Sequence, residues 1–267
     1  MDGYRYFAPE ALHFLKDLRA HNERAWFLSN KARYENLVRD PFSRLIADLG
    51  PALKKISPYF AADPRPVGGS MMRIYRDVRF SADKSPYKTF VAAHFEHSKA
   101  NGGGAPAYYL HFEPGDLSMV GAGVWRPDAA TLAKVRQAIV EEPKRWRRVK
   151  SVADFGSSCG MAGESLKRPP QGFDPKHSLI EDIKRKDFAL KMPLADRQVC
   201  GTDLLGAITE AFQRFAPFVH PFAIGIIVID PGQFIRERKR VLLKIKRPRP
   251  DKLPMPGAPA EDDGQQA

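Results

Sequence analysis

Two hydrophobic periods share this chain, and their order limits what it can fold into. Between residues 10 and 56 apolar side chains recur at helical spacing. Ala11, Phe14, Leu15 and Leu18 make one stripe. Phe27, Tyr34 and Val38 make a second, with Trp26 alongside and Asn22 expected to cap that helix. Phe42, Leu45, Ile46, Leu49, Leu53 and Ile56 make a third. Pro41 suits its start, and Gly50-Pro51 is expected to bend or split it.

Residues 57–70 are rich in Pro and Gly and read as loop, after which the period shortens. Met71–Tyr75 and Thr89–His97 are compatible with strands. The Asn101–Gly104 turn leads into Ala107–Glu113, where Tyr108, Leu110 and Phe112 alternate with Tyr109, His111 and Glu113. Pro114-Gly115-Asp116 turns the chain into Leu117–Trp125. Helix returns after Pro127-Asp128, with Leu132, Val135 and Ile139 on one face. Ser178-x-x-Glu181 reads as a capping box, Phe188–Met192 as a strand, and Thr202 as the cap of a helix bearing Leu205, Ile208, Phe212 and Phe215. Ile224–Ile229 reads as a last buried strand. Helices, then hairpins, then helices predict one α+β domain over residues 1–230, its helices packed on a mainly antiparallel sheet. Residues 231–267, basic and then Pro-rich, are expected to be a disordered tail.

Charge enters because it is unevenly spread. Of the formal +12, residues 236–252 contribute +7, residues 253–267 contribute −3, and the body carries +8. A basic body attracts polyanions at long range, so nucleic acid is a candidate partner. Cys159 and Cys200 lie in no zinc spacing and read as buried thiols. Met1–Arg5 leads into no apolar core of a signal peptide, and the longest apolar run, residues 222–229, is too short for a membrane helix. The expectation is a cytoplasmic protein without a membrane partner. Nothing in the residues sets an oligomeric state.

The most unusual stretch is residues 73–88, which hold Arg73, Arg76, Arg79, Lys84 and Lys88 with Asp77, Asp83, Tyr75 and Tyr87. If residues 73–80 are extended, Arg73, Tyr75, Asp77 and Arg79 share one face, and Ile74, Arg76, Val78 and Phe80 the other. Pro86 turns the chain and folds Asp83, Lys84 and Lys88 back. Cations gathered near two carboxylates suit an anion receptor, since a guanidinium fork grips carboxylate or phosphate with two parallel bonds. The alternative use is a network of internal ion pairs that anchors the loop.

Residues 73–88 resemble the signature of a widespread, uncharacterised microbial and fungal family, domain of unknown function 2461. Three further segments agree with it: Phe14-Leu15-x-x-Leu18 followed by His21-Asn22-x-x-x-Trp26-Phe27; Gly121-x-Gly123-x-Trp125-x-Pro127; and Leu166-Lys167-Arg168-x-Pro170-x-Gly172-Phe173. The likeness covers residues 10–220 and departs after Phe222. It implies a single α+β domain and brings no reaction with it.

Other chemistries have less support. In a strand, His94 and His97 point to opposite faces, and His111 lies on a neighbouring strand, so no zinc-like set forms and no metal is assigned. Mg²⁺ on Asp77 and Asp83 is the one cofactor left open, with nearby arginines competing for those carboxylates. No nucleophile elbow occurs, and Gly102-Gly103-Gly104 lacks the ending of a phosphate loop. Trp26, Phe27 and Trp125 read as core aromatics. Arg145–Lys150 reads as a solvated face, with Trp146 available for base stacking.

The expected function is a small-anion or phosphate-ester binding domain, with catalytic turnover left open. Arg73, Arg76, Arg79, Lys84 and Lys88 would hold the anion and Tyr75 and Tyr87 would donate hydroxyl bonds. Asp77 or Asp83 would orient the cations or act as general base. The alternatives are a nucleic-acid-binding protein using body and tail, and a non-catalytic interaction scaffold.

Overall fold

In the computed structural model, residues 4–98, 105–151 and 159–226 are described, the last six of them as backbone only. The first helical stripe forms α1 (Pro9–Ala20) and buries Ala11, Leu12, Phe14, Leu15 and Leu18. The second stripe is not one helix. It divides into α2 (Arg24–Ser29), α3 (Lys31–Tyr34) and a π-helical stretch, Glu35–Arg39, because Asn30 leaves helical geometry and its amide donates back to the Trp26 carbonyl. The wider π turn ends two positions before Pro41, which has no N–H to offer the preceding turn. The third stripe is α4 (Asp40–Ile56), uninterrupted through Gly50-Pro51, with Phe42, Leu45, Ile46, Leu49 and Leu53 fully buried.

The strands are β1 (Val91–Glu96), β2 (Ala107–Phe112), β3 (Ser118–Val124), β4 (Gly160–Ala162) and β5 (Phe188–Leu194). Among the described residues they form one antiparallel sheet in the order β1-β2-β3-β5-β4. Met71–Tyr75 is not a strand of this sheet. It makes isolated bridges only, Met71 with Ala93 and Tyr75 with Tyr87. Gly123 sits at φ +129°, and a Cβ there would lie 2.3 Å from the Phe188 carbonyl oxygen, so β3 and β5 approach as closely as they do because this residue has no side chain.

The remaining helices are α5 (Ala129–Glu141), α6 (Pro143–Ser151), α7 (Ile180–Ile183), α8 (Asp196–Val199) and α9 (Leu204–Ile226). Asp128 caps α5 by accepting the Thr131 N–H at 2.7 Å. Three sequence expectations are corrected here. The Ser178 box does not form, because Leu179 holds the cap position of α7 and Ser178 Oγ accepts from Arg147. α9 starts at Leu204, so Asp203 rather than Thr202 precedes it. α9 also continues through Ile226, which makes Ile224–Ile226 helix instead of strand. The rest of that run, the Asn101–Gly104 turn, the basic stretch 236–252 and the tail lie outside the described residues.

One face of the sheet carries Phe95, Tyr108, Leu110, Phe112, Val120, Val124 and Phe188, all buried. It meets α4 through Phe42–Phe112 (5.5 Å between ring centroids) and α9 through Tyr108–Phe212 (4.6 Å). Trp146 joins this core against Phe188 and Phe218, so it is not available for base stacking. Trp125 is the reverse case, being 52% exposed beyond the end of β3. The other face of the sheet bears His94, Glu96, Tyr109, His111 and Lys191, none of them fully buried. No helix among the described residues is long and apolar enough to cross a membrane.

Candidate functional site

The charged segment folds as a short hairpin. Arg76 N–H donates to the Pro86 carbonyl (2.9 Å) and Lys88 N–H to the Ile74 carbonyl (2.8 Å), so residues 74–76 run antiparallel to 86–88. Pro86 fits this frame because only its carbonyl is used. Residues 77–85 make the tip. The expected alternation therefore holds at the stem and ends at Asp77, where the chain turns.

Packing and a side-chain clamp dock the stem. Tyr87 is 3% exposed and its ring stacks on Phe27 at 4.1 Å; Phe27 in turn contacts Tyr34 at 5.4 Å. Asn22 was expected to cap a helix. Glu23 holds that position instead, and the Asn22 amide grips the Tyr87 backbone from both sides. Its Nδ2 donates to the Tyr87 carbonyl at 3.0 Å, and its Oδ1 accepts the Tyr87 N–H at 3.0 Å. His21-Asn22 and Trp26-Phe27, far from the hairpin in sequence, are thus parts of its mount.

Most of the cationic heads have local partners. Arg79 pairs with Asp77 at 2.7 Å and Arg76 with Asp83 at 2.5 Å, with a second bond from Arg76 to the Ser85 carbonyl at 3.1 Å. The Lys84 ammonium donates to the Val78 carbonyl at 3.0 Å. Lys88 differs. Its ammonium is capped by the Arg73 and Tyr75 carbonyls and by no carboxylate among the described residues, and burial followed by the nearby Arg73 charge lowers its pKa. The Arg73 guanidinium makes no hydrogen bond or ion pair among the described residues. Hydrogen bonds from the Ser85 hydroxyl and N–H, and then from Arg76, hold the Asp83 carboxyl at about 2. Arg79 holds Asp77 low in the same way. Both remain ionised at neutral pH and are poor proton acceptors.

A cleft of about 460 Å³ opens beside the stem, walled by Arg19, Asn22, Arg76, Asp77, Asp83, Ser85, Tyr87, Lys88, Thr89 and Phe90. Of the residues singled out from sequence, it brings together Arg76, Asp77, Asp83, Tyr87 and Lys88. Arg73, Tyr75, Arg79 and Lys84 do not line it. Sequence reasoning did not name Arg19, Asn22, Ser85, Thr89 or Phe90 as site residues. Behind the wall runs a polar chain. Arg19 Nη2 donates to Glu113 Oε1 at 2.7 Å, Glu113 Oε2 meets His111 Nε2 at 2.9 Å, and His111 Nδ1 meets the Tyr109 hydroxyl at 3.1 Å. Phe90 covers the His111 ring at 4.2 Å. Burial and then Glu113 push the Tyr109 phenol up to about 12, so it stays protonated as a donor.

Among the described residues, no group of three His, Cys, Asp or Glu side chains is placed to hold a metal ion. Cys159 and Cys200 are free thiols, and burial raises both pKa values. Across known proteins, the model of a conserved hypothetical protein family, DUF2461, matches residues 10–220. No curated protein and no solved structure matches the chain.

Proposed function

The chain belongs to the conserved hypothetical protein family DUF2461, and from that premise, which carries no reaction with it, we propose that the cleft beside the hairpin binds a small anion, a phosphate ester above all. The observation that carries this reading is Lys88, a half-buried lysine on the cleft wall whose ammonium has no carboxylate partner among the described residues. Two arginines share that wall with donors to spare. Arg19 uses only Nη2 and Arg76 only Nη1 among the described residues. Three cations against Asp77 and Asp83 leave the lining net positive.

In this reading Asp83 holds the Arg76 fork in place, and both carboxylates accept hydroxyl groups of the ester's organic part. At about 460 Å³ the cleft is larger than orthophosphate needs and lies within the range of small-molecule sites.

The test is a thermal-shift series with inorganic phosphate, sulfate, sugar phosphates and nucleoside monophosphates. A ligand at 100 times its Kd stabilises the fold by about 2.7 kcal/mol. Lys88→Met keeps the aliphatic stem and removes a charge-assisted bond, so binding weakens roughly 10- to 150-fold. Arg19→Gln, at the other wall, weakens binding in the same direction. No shift with any phosphorylated compound at millimolar concentration, or equal affinity in folded Lys88→Met, refutes the reading.

A further inference from the structure

The hairpin tip presents a group that the cleft does not use. Phe80 is 96% exposed, with the Arg79 guanidinium 5.7 Å from its ring centroid. The loop that carries it is held by its own polar contacts. Ser81 N–H and the Lys84 ammonium both donate to the Val78 carbonyl, at 3.3 Å and 3.0 Å. Asp77 accepts from the Arg79 backbone and side chain, and Asp83 from Ser85 and Arg76. Ordering of the loop is therefore already accomplished in the free protein, which lowers what a partner must supply on binding.

A second ring stands on the stem. Tyr75 is 53% exposed, with Tyr87 behind it at 5.4 Å. Besides the half-buried Lys88, two cations of this segment, Arg73 and Lys84, form no ion pair among the described residues, and both are exposed. Tyr75 and Phe80 are five positions apart, at most about 18 Å along the chain, a span that a few nucleotides cover. A partner that satisfies rings and cations together needs flat π faces joined by closely spaced negative charges.

We propose that the 74–88 hairpin is a stacking finger for single-stranded nucleic acid, with bases on Phe80 and Tyr75 and phosphates against Arg73 and Lys84. Single strands fit because a duplex hides its base faces, and stacking on an aromatic side chain accepts any base. An anionic membrane shares the charge requirement but rewards a cluster of apolar side chains. Here the neighbours of Phe80 are Arg79 and Ser81. The +8 carried by residues 1–235 adds long-range attraction to the strand.

The test is fluorescence anisotropy with labelled 12-nucleotide oligo-dT and oligo-rU and the full chain. Phe80→Ala removes a solvent-exposed ring, so its melting temperature stays at the wild-type value. Its affinity for the oligonucleotide falls by at least about fivefold, and Phe80→Trp retains binding. Two phosphate contacts weaken wild-type binding about sevenfold between 50 and 200 mM salt. The proposal is overturned by absence of wild-type binding at 50 mM salt, by equal affinity in Phe80→Ala, or by Phe80-dependent binding to phosphatidylserine vesicles without oligonucleotide binding. The cleft is judged separately. Phe80→Ala keeps any phosphate-ester thermal shift, whereas Lys88→Met loses it, so either reading can fail alone.

Discussion

Replacing Asn22 with alanine tests how the hairpin is held. Its amide spans 65 residues of sequence to make two hydrogen bonds with the backbone of Tyr87, each 3.0 Å long. Tyr87 is 3% exposed, so water replaces these partners poorly when the amide is removed. A typical net hydrogen bond contributes about 0.5–1.5 kcal/mol, and a buried group left without a partner costs about 1–3 kcal/mol. Two such losses put Asn22→Ala at roughly 2–4 kcal/mol. For a domain of this size about 2–4 °C of melting temperature accompanies each kcal/mol, so the variant melts roughly 5–15 °C lower. Chemical denaturation measures the global part. Amide hydrogen exchange measures the local part, at Arg76, Tyr87 and Lys88, whose N–H groups close the stem or meet the clamp. Exchange at these three rises more than in β2 or β3. Because Asn22 also walls the cleft, phosphate-ester binding weakens with the clamp. Asn22→Asp separates the two bonds, since a carboxylate accepts the Tyr87 N–H and cannot donate to its carbonyl. If Asn22→Ala keeps the wild-type melting temperature and the wild-type exchange at these amides, the stacking of Tyr87 on Phe27 suffices and the clamp argument is wrong.

Two further outcomes follow from the same geometry. Asp83 is held at about 2 in the folded protein, below the ordinary range of a carboxyl group. A depressed folded pKa contributes stability above the unfolded value and loses it as pH falls through the folded one. Protection at the hairpin tip is therefore intact at pH 5 and lost as pH approaches 2, and Asp83→Asn removes that acid transition. A titration in which the tip opens near pH 4 in wild type contradicts the bonds from Ser85 and Arg76. At Gly123, alanine places a Cβ 2.3 Å from the Phe188 carbonyl oxygen at φ +129°, so strain and overpacking together destabilise the variant by about 3 kcal/mol or more. A urea midpoint equal to wild type means that β3 and β5 do not approach as described.

Local order was readable from residue spacing because it depends on neighbours a few positions apart. Side chains at i, i+3 and i+4 share a helical face whatever surrounds them, so the Phe42–Leu53 stripe fell on a buried helix face. Alternate side chains share a strand face, so Tyr108, Leu110 and Phe112 turned together into the core. The charged segment stood out for the same reason, as did the return of helix after Pro127-Asp128. Polar side chains with more than one partner within reach were not readable in this way. Asn22 can cap the next helix or grip a backbone 65 residues on, Ser178 can cap α7 or accept from Arg147, and sequence spacing presents only the nearer choice. Trp125 shows the same limit for an apolar group, because its position beyond the end of β3 decided its exposure.

By itself the chain determined that helices would cover an antiparallel sheet and that residues 73–88 would concentrate charge, since both follow from side-chain chemistry and backbone period. Only the tertiary structure decided which of those charges face a cleft. Arg76 and Lys88 line it with Arg19, while Arg73, Arg79 and Lys84 lie outside it. Selection of this kind comes from docking elements distant in sequence against one another, and the packing of Phe27 on Tyr87 and the Asn22 clamp do that here.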